Sequence, residues 1–222
     1  MSLTIDRIID SYVHVGTLLK KANPKTKQFW HTTKNNMIIF KPDLVVRQLE
    51  QARKKFQEAK AAKKEILVIC EKSLYADTIE KLAKTIGFHY FNYKVPSGVL
   101  TNFDTLMARI TSMNDMRTSI GSEEFQNYTK KEQSSKMRNL KKIERVYKGV
   151  GGLKKKPDLI IIVDGTLMIK FVNEVEKLRA DNIVITSSDL PRRWNEDSLV
   201  IGNVDSYKSL DCMLGYILNG SE

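Results

Sequence analysis

Twelve basic side chains and one tryptophan in this 222-residue chain have the types and spacing to hold a polyanion. Lys20, Lys21, Lys25, Lys27 and Lys34 crowd around Phe29 and Trp30, while Lys130, Lys131, Lys136, Arg138, Lys141, Lys142 and Arg145 recur within one short segment. Ammonium and guanidinium groups meet phosphates, and a flat ring stacks on an unpaired base, so basic residues interleaved with aromatics suit an RNA surface. Trp30 has a second reading, burial against the domain, and the spacing does not choose between them. The net charge is +11 and it is segregated. Residues 14–64 hold 13 Lys and Arg against 3 Asp and Glu, residues 127–156 hold 11 against 2, and the rest of the chain carries −8. A merely lysine-rich composition would spread its charge evenly, so two basic blocks on an acidic body point to nucleic-acid contact.

Bond-making chemistry finds no comparable support. No Gly-x-Gly-x-x-Gly follows an apolar run, and no Gly-x-x-x-x-Gly-Lys-Ser/Thr occurs. Gly149-Val150-Gly151-Gly152 follows a helical pattern and reads as a cap and linker, and Asp164-Gly165 reads as a plain turn at the end of a strand. His14, His31 and His89 are scattered, without the partners that metal ligation needs. Ser187-Ser188-Asp189 has hydroxyls and a carboxylate but no base beside them. No metal, cofactor or catalytic set is expected. An α/β enzyme or a nucleotide- or sugar-phosphate-binding protein stays as the alternative, and it would need a phosphate loop after a strand.

The elements that must carry these side chains follow from hydrophobic periodicity. An amphipathic helix is predicted over residues 2–12, with Leu3, Ile5, Ile8, Ile9 and Tyr12 as its apolar set, and then an irregular basic segment over 17–34. From residue 37 strands and helices alternate: strand 37–40, helix 43–62, a fully buried strand over 66–70, and a helix capped by Ser73 and stopped by Gly87. Strands over 88–93, 159–163, 183–186 and 199–201 and helices over 167–179 and 206–218 complete the pattern. Such alternation predicts an α/β fold, a doubly wound, mostly parallel, flavodoxin- or Rossmann-like sheet with helices on both faces. Residues 100–152 interrupt it as an inserted, coiled-coil-like helical hairpin. One arm carries Leu106, Ile110, Met113, Met116 and Ile120, the other Met137, Leu140, Ile143 and Tyr147, with Thr129-Lys130-Lys131-Glu132 as a capping box between them. The sheet domain is then residues 1–99 and 153–222.

Length and composition agree with this reading. A chain of this size buries roughly 70% of its unfolded surface without needing a disulfide or a metal. Cys70 and Cys212 read as reduced core thiols. No secretory or transit signal is visible, and no run approaches the ~20 apolar residues of a membrane span.

The arrangement resembles a known family, that of the second protein of the bacterial-type small ribosomal subunit ("S two"). The likeness covers nearly the whole chain. His14-Val15-Gly16 with Asn23-Pro24-Lys25 looks like the family's N-terminal motif, and Ser97-Gly98-Val99-Leu100-Thr101-Asn102-Phe103 like the lead into its helical hairpin. Thr129-Lys130-Lys131-Glu132 stands at its second arm, Gly151-Gly152-Leu153 with Pro157-Asp158-Leu159 to Asp164 at the return into the sheet, and Ile201-Gly202-Asn203-Val204-Asp205-Ser206 at its last helix. Thr17 replaces a usual histidine, Ala22 a usual tryptophan, and Val95-Pro96-Ser97-Gly98 a usual Trp-Leu-Gly-Gly. One of two usual aspartates is missing at Val204-Asp205, and an extended C-terminal tail is not seen. These departures suggest a divergent lineage.

What the resemblance implies is a non-enzymatic constituent of the small ribosomal subunit, in a bacterial cytoplasm or an organelle. It would bind small-subunit rRNA at the head–body junction and neighbour other ribosomal proteins, including the large mRNA-binding one, with no membrane partner.

Overall fold

The computed structural model describes residues 3–191 and 196–219. Helix α1 (Ile5–Asp10) opens the chain, with the Thr4 side chain accepting from the Arg7 amide as its cap. It is shorter than the apolar pattern predicts, because Tyr12 takes a left-handed turn (φ 57°). Of the expected apolar set only Ile8 is fully buried, and Ile5, Ile9 and Tyr12 face outward.

Strands β1 (Val15–Leu18), β2 (Trp30–Lys34) and β3 (Met37–Phe40) form an antiparallel sheet in the order β1-β3-β2. This corrects two expectations. Residues 17–34 are not irregular throughout, and the strand over 37–40 does not open the parallel alternation. The cause is local. Asn35 and Asn36 both adopt left-handed backbone (φ 51° and 58°), which makes the tight turn that joins two antiparallel strands. Every residue of β2 after Trp30 is exposed, so the strand has no alternating pattern to betray it.

Helix α2 (Pro42–Ala61) leads into the main sheet, formed by β4 (Ile66–Ile69), β5 (His89–Phe91), β6 (Leu159–Val163), β7 (Asn182–Thr186) and β8 (Leu199–Ile201). All neighbours are parallel, in the order β5-β4-β6-β7-β8, so the order in which strands are added to the sheet reverses between β4 and β6. Every residue of β4 and β6 is buried, as a sheet covered on both faces requires. Successive side chains alternate between the two layers. Ile66, Val68, Leu159, Ile161 and Val163 meet α2, α3 (Ala76–Ile86) and α7 (Tyr207–Leu218). Leu67, Ile69, Ile160 and Ile162 meet α4 (Phe103–Gly121) and α6 (Ile169–Lys177). Ser73 begins a short 3-10 turn instead of capping α3, whereas Gly87 ends α3 with φ 85°, a conformation that suits glycine.

Helix α4 and helix α5 (Lys130–Tyr147) lie between β5 and β6 in the chain and pack on each other, with Arg117 Nε donating to Glu144 Oε1 at 2.6 Å. The apolar stripe of α4 serves the sheet, since Phe103, Leu106 and Ile110 belong to the second core layer. Met116 and Ile120, predicted to continue that stripe, line an open groove of about 400 Å³ with Lys136 and Asn139 of α5. Helix α5 buries none of its residues fully, and Met137 of its predicted stripe is exposed.

Both ends of this segment are fastened to the sheet. Ahead of α4, Glu174 accepts from the amides of Gly98, Leu100 and Thr101 at 2.7–3.3 Å, and Glu71 accepts from the Val95 amide at 2.6 Å. After α5, Gly149 lies against Tyr90 so closely that a Cβ would collide with the Tyr90 carbonyl, whereas a Cβ on Gly121 would meet nothing within 4 Å. Gly149→Ala therefore costs about 1–3 kcal/mol of overpacking. Gly121→Ala is neutral or stabilising by about 0.5–1 kcal/mol. Urea unfolding midpoints of the two variants give the comparison.

Candidate nucleic-acid interface

Ser188, just past the carboxyl end of β7, holds the first basic block in place. Its Oγ accepts from the Thr17 amide at 3.0 Å and lies 2.7 Å from the Thr17 hydroxyl. Its carbonyl accepts from the Asn23 amide at 2.8 Å and from the Thr26 hydroxyl at 2.9 Å. Gly16 completes the contact, since a Cβ there would sit 2.9 Å from both Ser188 Oγ and the Phe40 ring. Asn23 then caps the 3-10 helix Pro24–Phe29, its side chain accepting from the Lys25 amide. The lysines ride on this frame. Lys20 and Lys21 end the turn after β1, Lys25 and Lys27 sit on the capped turn, and Lys34 ends β2. All five are exposed. The sheet pairs both Leu18 and Lys34 with Met37, so the Lys20 turn and Lys34 lie at the same end of this sheet, on either side of β3.

Trp30 goes the other way. Its indole N–H donates to the Thr26 hydroxyl at 3.1 Å, and the ring packs against the core on the α2 side. Of its two readings, the geometry favours burial.

Helix α5 carries the second block. Thr129 and Glu132 form the reciprocal capping box, with the Thr129 amide donating to Glu132 at 2.9 Å and the Glu132 amide to Thr129 Oγ1 at 3.4 Å. Lys130 and Lys131 occupy the first turn, where a helix dipole disfavours cations, and the capping carboxylate offsets part of that cost. Lys131, Arg138, Lys142 and Arg145 follow at steps of seven, four and three, which places them on one face. Three cations already have partners. Lys136 lies over the Tyr128 ring at 3.4 Å, Arg145 lies over the Tyr93 ring at 3.8 Å, and Arg138 donates to the Ser134 carbonyl at 3.2 Å. Lys130, Lys131, Lys141 and Lys142 are exposed.

The crevice at the β4–β6 reversal, where open α/β sheets hold their ligands, is taken up by protein. Lys72 Nζ lies 2.7 Å from Asp164 Oδ2 and 2.7 Å from Asp205 Oδ1. Burial alone would lower the Lys72 pKa, but hydrogen bonding to the two aspartates outweighs it and raises it. Asp164 stands in left-handed backbone (φ 66°) and accepts from the Leu167 amide, so the turn reading of Asp164-Gly165 is the structural one. Burial raises Asp189 nearby, with the charges of Asp164 and Asp205 adding to it. Cys70 is a buried free thiol whose pKa burial pushes up to about 11, and Cys212 is also buried and free. Among the described residues no three His, Cys, Asp or Glu side chains come together as a metal site. No helix among them is long and apolar enough to cross a membrane.

A family model described as "Ribosomal protein S2" matches residues 8–222. The chain belongs to the ribosomal protein S2 family. It is 26% identical over 215 residues to small ribosomal subunit protein uS2c of Cyanidium caldarium, an alignment covering 96% of this chain and 88% of that protein. It is 26% identical over 214 residues to uS2 of Thermus thermophilus, covering 96% and 83%. It is 27% identical over 213 residues to uS2 of Corynebacterium diphtheriae, covering 95% and 79%. The S2 family is one of structural small-subunit proteins and not of enzymes.

Two features of this S2-family chain escaped sequence reasoning. Ser188 had no local signal, because its partners lie more than 160 residues away. Glu80 did not stand out either, yet it receives Lys84 at 2.9 Å and Lys148 at 2.6 Å, tying the end of α5 to α3. Hydrogen bonding to Lys148 and then Lys84 lowers the Glu80 pKa from 4.5 to about 2. A depressed carboxylate stabilises the fold fully above its unfolded pKa and stops doing so as pH falls through its folded one. The stability difference between wild type and Glu80→Gln is therefore largest at neutral pH, shrinks below about pH 4.5 and vanishes near pH 2. Denaturant titrations across that range measure it.

Proposed function

We propose that this chain is a structural constituent of the small ribosomal subunit that binds small-subunit rRNA through its two basic blocks. One observation carries the reading. Nine lysines, Lys20, Lys21, Lys25, Lys27, Lys34, Lys130, Lys131, Lys141 and Lys142, stand exposed on backbone that hydrogen bonds and caps hold in place. Exposed ammonium groups on a fixed frame suit phosphate contacts, which set position and orientation, while specificity comes from RNA shape. Half-buried Trp30 contributes by holding the Thr26 turn through its indole N–H.

Residues 100–152 act as an inserted arm on a sheet domain made of residues 1–99 and 153–222. The contact lies at the junction of the head and body of the subunit, where the protein neighbours other ribosomal proteins and supports docking of the large mRNA-binding one. The likeness to the small ribosomal subunit proteins uS2 and uS2c supports residence in the small subunit, in a bacterial cytoplasm or an organelle.

If about six phosphates are neutralised, log affinity for small-subunit rRNA falls with log salt at a slope of roughly −4 to −5. Filter binding of the purified protein to an rRNA transcript between 50 and 300 mM salt, on the order of the range where such slopes are read, tests it. A flat dependence refutes the electrostatic contact. Sedimentation of native lysate is expected to find the protein with small subunits, and a pool found mainly free in solution refutes ribosome residence.

A further inference from the structure

The two basic blocks meet at a place that neither suggests alone. Lys63 and Lys64 end the first block just after α2, and Lys154, Lys155 and Lys156 end the second just before β6. The sheet brings them to one edge. The Glu65 amide donates to Asp158 Oδ2 at 2.8 Å, the Asp158 amide donates to the Glu65 carbonyl at 2.8 Å, and Ile66 pairs with Leu159 in the parallel register. These bonds join the amino ends of β4 and β6, the edge opposite the one where Ser188 holds Lys20 to Lys27.

The backbone beneath the five lysines is fixed on both sides. The Lys63 and Lys64 amides donate to Lys60 and Ala59 as the last turn of α2 closes, with Lys63 in left-handed conformation (φ 52°). Leu153 and Pro157 are buried on either side of the Lys154 to Lys156 run. All five lysine side chains are exposed. The carboxylates nearest the two lysine runs, those of Asp158 and Glu65, are already engaged. Asp158 holds Lys155 at 2.8 Å, and Glu65 holds His89 at 2.9 Å. The Lys155 ammonium first, the Glu65 amide next and, among smaller causes, the charge of Lys64 keep the Asp158 carboxyl below its usual range, so the two lysine runs share one electrostatic neighbourhood. Among the described residues, neither of these carboxylates forms an ion pair with Lys63, Lys64, Lys154 or Lys156.

We infer that this amino-edge patch, built on Lys63, Lys64, Lys154 and Lys156, is a further RNA contact that grips the phosphate backbone. The inference rests on the reading of the chain as an rRNA-binding protein. Lysine without aromatic or apolar company is a poor core for a protein–protein interface, which enriches aromatics, Met and Arg and is depleted in Lys. It is well suited to backbone phosphates, which ask for positive charge and not for shape. Because the patch lies at the other edge of the sheet from Lys20 to Lys34, the two together hold RNA across the length of the strands.

The test replaces all four lysines, as K63Q/K64Q/K154Q/K156Q in the full chain, leaving Lys155 on Asp158. Binding to a small-subunit rRNA transcript is measured over a range of salt, beside a matched variant, K81Q/K94Q/K170Q/K177Q, that removes equal exposed charge elsewhere. The expected result is a slope less steep than wild type by about 3, since each lost phosphate contact removes about 0.7–0.9. The matched variant changes the slope by less than about 1, one contact or fewer on the same scale, and K63R/K64R/K154R/K156R keeps the wild-type slope. If wild type binds steeply and the four-lysine variant matches it, or if both glutamine variants lose slope equally, the patch is not a contact and this inference falls alone. If wild type itself shows no salt-dependent binding, the rRNA reading falls and takes the patch with it.

Discussion

The whole arrangement depends on the need to cover both faces of β4 and β6. Nine consecutive-strand residues, Ile66 to Ile69 and Leu159 to Val163, are apolar and buried, and they alternate between two layers. At roughly 25 cal/mol for each Å² of apolar surface, leaving either face open would forfeit several kcal/mol, a large share of a domain's net stability. One face takes α2, α3 and α7. The other takes α6 and the first half of α4. Helix α4 therefore spends its apolar stripe on the sheet, and α5 is left to pack with half-buried residues and to present lysine and arginine outward. The basic surface on α5 is a by-product of which partner α4 must cover.

Much of this was legible in the sequence. The continuous apolar runs gave β4 and β6, the capping box gave the start of α5, and Gly87 gave the end of α3, because each of these signals is local and has one physical meaning. The antiparallel sheet was not legible, since β2 is exposed along nearly its whole length and its turn uses Asn35-Asn36 without a glycine. The direction of the α4 stripe was not legible either. Leu106, Ile110 and Met113 have the spacing to face a sheet or a second helix, and only the competition for β4 and β6 decides between them. For the candidate interface, composition located the basic blocks but not their joints. Ser188, Glu80 and the Glu65–Asp158 bonds each link residues far apart in the chain, so no window of sequence contains them.

The same polar chemistry plays opposite parts at the two edges of the sheet. At the β4–β6 reversal, Lys72 is held between Asp164 and Asp205, where its charge is largely neutralised and its side chain half-withdrawn from solvent. A doubly wound fold thus keeps its ligand crevice as a structural ion pair. At the amino edge the carboxylates are the ones already satisfied, and the ammonium groups remain turned to solvent. A lysine is a compact, strongly hydrated point charge, so which of these parts it plays is set by whether a carboxylate has been built within reach.

Ser188 has a consequence in time as well as in space. The lysine segment it holds leaves the ribosome early in synthesis, but Ser188 is made 171 residues after Thr17, and at 5–20 residues per second the gap is roughly 10–30 s. Throughout that interval this lysine segment lacks the contacts that Ser188 gives to Thr17, Asn23 and Thr26, and its lysines sample solvent beside a surface rich in phosphate. The order of synthesis leaves this lysine segment charged from the start but held in its final place only once the residues just past β7 have been made.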